Sequence, residues 1–336
     1  MKYHIITYGC QMNKADSERI ASNLKIKRHK PAQNINEADL IIVNMCSIRQ
    51  PAVDRIYGLI QKFKKIKKKR KIKTLLTGCV LKKDLNKLRG GFDSIWDQSI
   101  NFDCPPKYNS SKTIYIPISN GCNNFCSYCV VPYTRGALVC RDHKKIIEEI
   151  KEATKKDIKD IWLLGQNVND YKSPKNKNIN FSKLFKLADE IPGKFKLSFM
   201  SPNPKNFSDE LIKNLSESKH YSKYLNLPVQ SGDDVILKKM NRSYTIKKYN
   251  DLVKRIKKAI PDIKLSTDII IGFPGETKKQ FKNTEKLFKK IKFNVAFVSK
   301  YSPRIGTASF KLKDNVPFDE KKKREQAIIK IVNKHE

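Results

Sequence analysis

Three cysteines fall within the stretch GCNNFCSYC (121–129): Cys122, Cys126 and Cys129, spaced C-x3-C-x2-C. Thiolates this close in sequence can share one metal centre, and sulfur ligands suit zinc or iron–sulfur clusters. A structural zinc site requires a fourth protein ligand. Cys140 and His143 are nearest, and both lie beyond a proline-containing turn. A four-iron cluster held by three thiolates instead leaves one iron open to an exogenous ligand. A second set is scattered: Cys10, Cys46 and Cys79 each close a strand-like segment. Ligands of open α/β sheets sit at the carboxyl ends of strands, so these three are expected to meet at one edge. Cys104 and Cys140 match no cluster spacing and read as incidental.

The elements that must position these cysteines are legible as two strand–helix series. In the first, KYHIITYG (2–9), ADLIIVNMC (38–46) and KIKTLLTGC (71–79) read as strands. Between them lie helical patterns at 15–25 and 51–66, an order that implies a parallel sheet with helix crossovers. A Pro-, Asn- and Ser-bearing linker follows at 102–112. The second series has strands at 113–119, 160–166, 194–200, 223–229, 264–273 and 293–301 with helical patterns between. Six such units predict a partial (β/α)6 TIM-like barrel, closed by a charged helix at the C-terminus. The triplet 122–129 follows the first of these strands, which puts it at the barrel's carboxyl face. The expected division is an α/β N-terminal domain over 1–107 and a barrel over 108–336.

The chain has 336 residues, 70 Lys+Arg against 33 Asp+Glu and a net charge of +37. Such a field suits a polyanionic partner, though lysine richness alone carries this only part of the way. The densest basic block, residues 62–73, reads equally as a solvated helix face or an RNA contact. No apolar run is long enough to span a bilayer, and MKYHIITYGC enters a strand without a secretory signal. A cytoplasmic setting is therefore expected, where thiols stay reduced and disulfides are not the use of eight cysteines.

With Tyr128 before its last cysteine, and at this place in a barrel, the triplet resembles that of the radical S-adenosylmethionine (SAM) enzymes. ITYGCQMNKADSE (6–18), NMCSIRQ (44–50) and TGCV (77–80) resemble the N-terminal domain of the methylthiotransferases. GCNNFCSYCVVPYTRG (121–136) resembles their radical SAM segment, and LLGQNVNDY (163–171) is similar to the tRNA-acting MiaB type. LPVQSGDD (227–234), MNRSYT (240–245), STDIIIGFPGET (266–277) and YSPRIGT (301–307) continue the likeness in order along nearly the whole chain.

The resemblance implies two 4Fe-4S clusters. Cys122, Cys126 and Cys129 would ligate the one that binds SAM, with Tyr128 beside the adenine; Cys10, Cys46 and Cys79 would ligate an auxiliary one. It implies that one SAM methylates sulfur, that a second supplies a 5′-deoxyadenosyl radical, and that C2 of an isopentenylated adenosine beside the tRNA anticodon gains the methylthio group. An aromatic C2–H is too strong and non-acidic for acid–base chemistry, so a cofactor must carry that step. The tRNA anticodon loop, an electron donor such as flavodoxin or ferredoxin, and a monomeric state are the partner expectations.

Gln166 and Asn167 at the end of the second barrel strand, and Gln230 at the end of the fourth, are expected to touch SAM or substrate. Arg135 and Arg304 read as candidates for a carboxylate or phosphate, or for structural ion pairs. The sequence departs from the family's RGxExSR pattern at Leu138 and Cys140, has Asn226 where the family has histidine, and reads PNPK at 202–205. The family carries a small C-terminal RNA-binding domain (TRAM), and no match to it is expected in the residues after the charged closing helix.

Overall fold

The computed structural model describes residues 1–47, 50–96, 104, 106, 108 and 112–334. The linker expected at 102–112 and the boundary at 107 fall largely outside the described residues. The N-terminal unit runs β1 (Lys2–Thr7), α1 (Gln11–Ile26), β2 (Lys30–Pro31), β3 (Leu40–Cys46), α2 (Gln50–Lys69), β4 (Lys73–Cys79), α3 (Lys82–Leu88) and β5 (Ser94–Ile95). Its five strands form one parallel sheet in the order β2-β1-β3-β4-β5.

The central strands β3 and β4 are buried on both faces, which is why they read as continuous apolar runs rather than alternating ones. Ile41, Val43 and Met45 pack with Val53, Ile56, Ile60 and Phe63 of α2. Ile42 and Leu75 pack on the other face with Ile20 and Leu24 of α1. Helix α2 leaves the cysteine edge and returns at the start of β4. Its basic block therefore lies at the opposite end of the sheet, with Phe63 buried and Ile66 packed on the core, and Lys67 pairing with Asp93. This is the geometry of a solvated helix face.

The second unit runs β6 (Thr113–Pro117), β7 (Ser119–Asn120), α4 (Val131–Thr134), β8 (Val139–Cys140), α5 (His143–Thr154), β9 (Asp160–Leu164), α6 (Phe181–Asp189), β10 (Lys196–Phe199) and α7 (Asp209–Glu217). It continues through β11 (Tyr224–Asn226), α8 (Asp234–Lys239), α9 (Ile246–Ala259), β12 (Lys264–Ile271), α10 (Lys278–Ile291), β13 (Val295–Lys300) and α11 (Phe318–Asn333). All six expected barrel strands are present. Strands β10-β9-β6 and β11-β12-β13 form two parallel sheets, joined by a parallel bridge between Leu197 and Tyr221.

Alternation along the strands separates two faces. Ile114, Ile116, Ile161, Leu163, Leu197, Phe199, Leu225 and Leu265 belong to the main core under the helices. Tyr115, Trp162, Ser198, Tyr224, Asn226, Ser266 and Asp268 point the other way, into the lumen. Helices α5 to α10 each start at an Asp, Asn, Ser or Thr whose side chain accepts a first-turn amide, which fixes where each crossover begins. Helix α1 joins the two units: Met12 and Ala15 pack with Leu164, Tyr115, Trp162 and Met200 at the lumen.

Candidate metal and cofactor sites

Cys46 and Cys79 are the last residues of adjacent strands and direct partners across the ladder. Cys10 lies three residues beyond β1, immediately before α1, rather than at the strand end. Its amide donates to Asn13 Oδ1 at 3.3 Å. Asn13 donates to Asn44 Oδ1 (2.9 Å) and Met45 O (3.1 Å), and Asn44 donates back to Asn13 O at 2.8 Å. A buried pair of amides thus ties the start of the Cys10 helix to the Cys46 strand. Gly78 takes φ +106°, and a Cβ there would stand 2.2 Å from Met45 O, so glycine alone lets β4 reach Cys79 this way.

The Cys46 hydrogen bond, opposed by burial and assisted by the Arg135 guanidinium, brings the Cys79 thiol down to about 6. Arg135 reaches Cys79 from the barrel, with Nε 2.8 Å from Sγ. It also donates to Asp16 Oδ2 at 2.7 Å and Asn120 Oδ1 at 2.8 Å. Of its two expected roles, it therefore fills the buried ion pair. Arg304 lies in the electrostatic range of Cys46, Asp54 and Asp84, which oppose the lowering that burial imposes on it.

Cys122, Cys126 and Cys129 sit on the long connection between β7 and β8, which pair as an antiparallel ribbon. The Cys122 amide donates to Gly136 O at 3.2 Å, closing the loop on itself. Ser127 fastens it to the α8 end through its amide to Met240 O (3.0 Å) and its hydroxyl to Lys239 O (2.8 Å). Phe125 holds φ +45°, unusual for a bulky residue, and its carbonyl accepts from Asn241 Nδ2 at 2.9 Å.

All three sulfurs accept an N–H: Cys122 from Asn124 Nδ2 (3.4 Å), Cys126 from Arg242 Nη1 (3.4 Å) and Cys129 from the Val131 amide (3.5 Å). Donors aimed at sulfur suit metal-bound thiolates. Burial pushes the free Cys129 thiol up to about 12, a bias that coordination reverses because a bound metal takes the thiolate outright. Tyr128 packs into a small apolar cluster with Ile236, Met240, Phe273 and Tyr301.

Among the described residues no three His, Cys, Asp or Glu side chains close into a site for a single metal ion. A four-iron cluster is larger than one ion and spreads its ligands accordingly. The sulfur chemistry and the sulfur-directed donors fit such a cluster at both cysteine sets.

Gly121, with φ +77°, packs so tightly that an added Cβ would stand 2.1 Å from Ala137 O. Gly121→Ala is expected to destabilise by about 1–3 kcal/mol through this clash and the left-handed backbone. Because Cys122 is the next residue, iron bound per chain after anaerobic reconstitution should fall with it, measured beside a urea unfolding curve.

Gln166 and Asn167 follow β9 as expected. Gln166 Oε1 and Asn167 Oδ1 are buried without a hydrogen-bond partner, as is Asn226 Oδ1. Buried acceptors lacking donors suit a ligand rich in N–H and O–H groups, as the ammonium and ribose hydroxyls of SAM are. Asn226 Nδ2 donates to Asp268 Oδ2 at 3.1 Å on the lumen side. Gln230 takes φ +68°, with its amide on Asp268 O (2.9 Å) and its carbonyl accepting from the Ile270 amide (3.0 Å). Its backbone thus bridges β12. Phe297, in register with Asp268, is 48% exposed on the same lumen face.

Sequence reasoning passed over Arg242, whose guanidinium serves Cys126, Tyr244 and Pro228 O together. It also passed over Asn13 and Asn44. The motif MNRSYT marked the segment of Arg242, but nothing local announces a partner 116 residues away. Cys104 is buried, and Cys140 lies in β8 with its thiol raised by burial; neither joins a cysteine set.

An open parallel α/β barrel with a three-cysteine loop after its first strand defines the radical SAM class. Residues 116–288 match the model of the Radical SAM superfamily, and residues 2–95 that of Uncharacterized protein family UPF0004. The fold is similar to the radical S-adenosylmethionine methyltransferase TsrM from Kitasatospora setae, with TM-score 0.66 and 13% identity over 89% of this chain and 72% of that one. It is also similar to the cobalamin-dependent S-adenosylmethionine radical enzyme OxsB, with TM-score 0.62 and 11% identity over 98% of this chain and 56% of that one.

The tRNA-2-methylthio-N(6)-dimethylallyladenosine synthase of Clostridium novyi (strain NT) is 38% identical over 99% of this chain and 81% of its own length. That of Treponema denticola is 38% identical over 98% of this chain and 84% of its own length. The chain belongs to this synthase family.

Proposed function

We propose that this chain replaces the C2 hydrogen of N6-dimethylallyladenosine, next to the tRNA anticodon, with a methylthio group. The observation that carries this reading is the 38% identity to a synthase of that name over 99% of the chain, which takes in both cysteine sets. Cys122, Cys126 and Cys129 would hold one 4Fe-4S cluster; Cys10, Cys46 and Cys79 would hold a second. When bound, these groups supply the radical and sulfur chemistry that an unactivated aromatic C–H demands.

The chain's own residues do the positioning. Asn124, Arg242 and the Val131 amide direct N–H groups at the sulfurs of the barrel loop. Gln166, Asn167 and Asn226 offer acceptors to SAM, and Tyr128 anchors the loop from behind. Trp162, Tyr224 and Phe297 give the lumen aromatic walls against which an extruded adenine could stack, since a loop nucleotide must be unstacked to reach it. Met12 and Ala15 of α1 pack over Tyr115, Trp162 and Met200 and cover that part of the lumen, while Phe297 stays open to an entering base.

The net charge of +37 supports sequence-independent affinity for tRNA phosphates. An electron donor of the flavodoxin or ferredoxin type, a monomeric state and a cytoplasmic setting belong to the same reading. Among the described residues no helix is long and apolar enough to cross a membrane.

Nucleoside mass spectrometry tests the reaction directly. A host lacking its own synthase, supplied with this gene, is expected to convert its dimethylallyladenosine to the 2-methylthio form. Unchanged dimethylallyladenosine alongside soluble, iron-loaded protein would sink the substrate assignment. Stoichiometric zinc in anaerobically purified protein, without iron, would favour a non-catalytic RNA-binding role instead.

A further inference from the structure

We propose that Arg135 is a positioning residue for the N-terminal cysteine site: from the barrel, its guanidinium fixes the Cys79 sulfur and raises the reduction potential of the iron–sulfur group held there. This rests on the reading that Cys10, Cys46 and Cys79 hold a cluster.

The geometry is specific. Arg135 is 7% exposed, although it carries a full charge. Each of its three nitrogens has a separate acceptor: Nε the sulfur of Cys79 at 2.8 Å, Nη1 Asn120 Oδ1 at 2.8 Å and Nη2 Asp16 Oδ2 at 2.7 Å. Asp16 belongs to α1, Cys79 to β4 and Asn120 to β7, so one planar group is fixed by both units at once. A planar fork meets this demand; an ammonium on a flexible stem has no Nε–H to hold in that direction.

Placement strengthens the case. Arg135 caps α4 at its C-terminal end, and its amide donates to Val131 O at 2.8 Å. It is six residues beyond Cys129 on the same connection. Gly121 and the Gly136–Ala137 backbone lie against each other, so the two ends of that connection are locked together. A single segment, 122–135, thereby carries three candidate ligands of one site and the donor for a ligand of the other. The N-terminal site is incomplete without the barrel.

The electrostatic consequence follows from where an added electron goes. Reduction makes the cluster and its thiolates more negative, and an N–H aimed at a sulfur stabilises that state more than the oxidised one. Asp16 balances the net charge of Arg135 but lies on another nitrogen, leaving the Nε–H directed at the sulfur. Removing the donor should therefore lower the potential.

The test uses the whole 336-residue chain with Cys122, Cys126 and Cys129 all changed to alanine, so that only the N-terminal site can hold iron. Anaerobic reconstitution, iron and sulfide analysis, and a redox titration followed by electron paramagnetic resonance are then applied to three proteins. These are the triple-alanine parent, the parent with R135M and D16N together, and the parent with R135K. Changing Asp16 with Arg135 avoids leaving a buried carboxylate unpaired.

The expected result is a parent with one cluster, a paired variant with a lower potential or selective loss of iron, and R135K between the two. If the paired variant fails to fold by circular dichroism, R135K decides by the same titration, because it keeps a cation opposite Asp16 but lacks the Nε–H. Iron and potential unmoved in the folded variants overturn the role of Arg135 alone. A parent that binds no iron overturns the second cluster, and this role with it.

Discussion

Cys126→Ala abolishes reductive cleavage of SAM, whereas Cys46→Ala leaves cleavage intact and removes the methylthio product; this is the expected outcome of separating the two cysteine sets. Cys126 lies at the centre of the barrel loop, its amide-linked neighbours pinned to Lys239, Met240 and Asn241 and its sulfur to Arg242. Losing it leaves two thiolates, too few to retain a cluster with a single open iron. Cys46 belongs to a different core: its strand packs with α2, while the barrel loop is fastened to α8. Its loss should therefore spare the barrel site. The measurements are 5′-deoxyadenosine release under a strong reductant, nucleoside mass spectrometry of tRNA, and iron content. The last should drop from about eight irons per chain to about four in either variant. Product still formed by Cys46→Ala would remove the auxiliary role from the N-terminal edge.

That separation was legible in the sequence because both cysteine sets are announced locally. C-x3-C-x2-C is a spacing, and Cys46 and Cys79 each end an apolar run that admits one reading as a buried parallel strand. Cys10 was legible as a member of its set but misplaced by three residues, because the strand stops at Thr7 and α1 starts at Gln11. The run Gln11-Met12-Asn13-Lys14, with Met12 its one apolar residue, hides that start, since Asn13 is buried for its bonds to Asn44 and Met45 rather than for apolar character. The edge strands β2 and β5 were illegible for a simpler reason: two residues cannot show a period.

The ribbon of β7 and β8, which brackets the barrel cysteines, pairs Ser119 with Cys140 and Asn120 with Val139, and at two residues each neither half can show a period. Least legible were the guanidinium groups. Arg135 finds Cys79 at a separation of 56 residues, and Arg242 finds Cys126 at 116. An arginine's chemistry can be stated from sequence, but its acceptor is settled by the fold.

The same holds for Glu149, whose replacement by alanine should be the most destabilising change outside the cysteine sets. Its carboxylate is buried between the two units. Arg19 Nη2 of α1 donates to both oxygens at 2.7 and 2.9 Å, Arg141 Nη2 to Oε2 at 2.7 Å, and the Tyr108 hydroxyl to Oε1 at 2.6 Å. Glu149→Ala would take from the buried Arg19 and Arg141 guanidiniums the carboxylate to which both donate, and breaking a buried pair in this way costs about 3–5 kcal/mol. Urea unfolding should show the loss as a lower midpoint. Alanine at Glu152, one turn along the same helix in an exposed pair with Lys155, should leave the midpoint unmoved.

A pH series adds a second signature. Burial raises the Glu149 carboxyl, but Arg19 and Arg141 outweigh it, so the group ends below the ordinary glutamate range. A depressed folded value means the stabilisation is complete above the unfolded carboxyl value and is lost as pH falls through the folded one. Glu149→Gln, which keeps the shape without the charge, should therefore be less stable than the parent at neutral pH. The difference should shrink in acid, where the parent too has lost its anion. A deficit that stayed constant down to that range would assign Glu149 a packing role and leave the contact between the units to Met12 and Ala15.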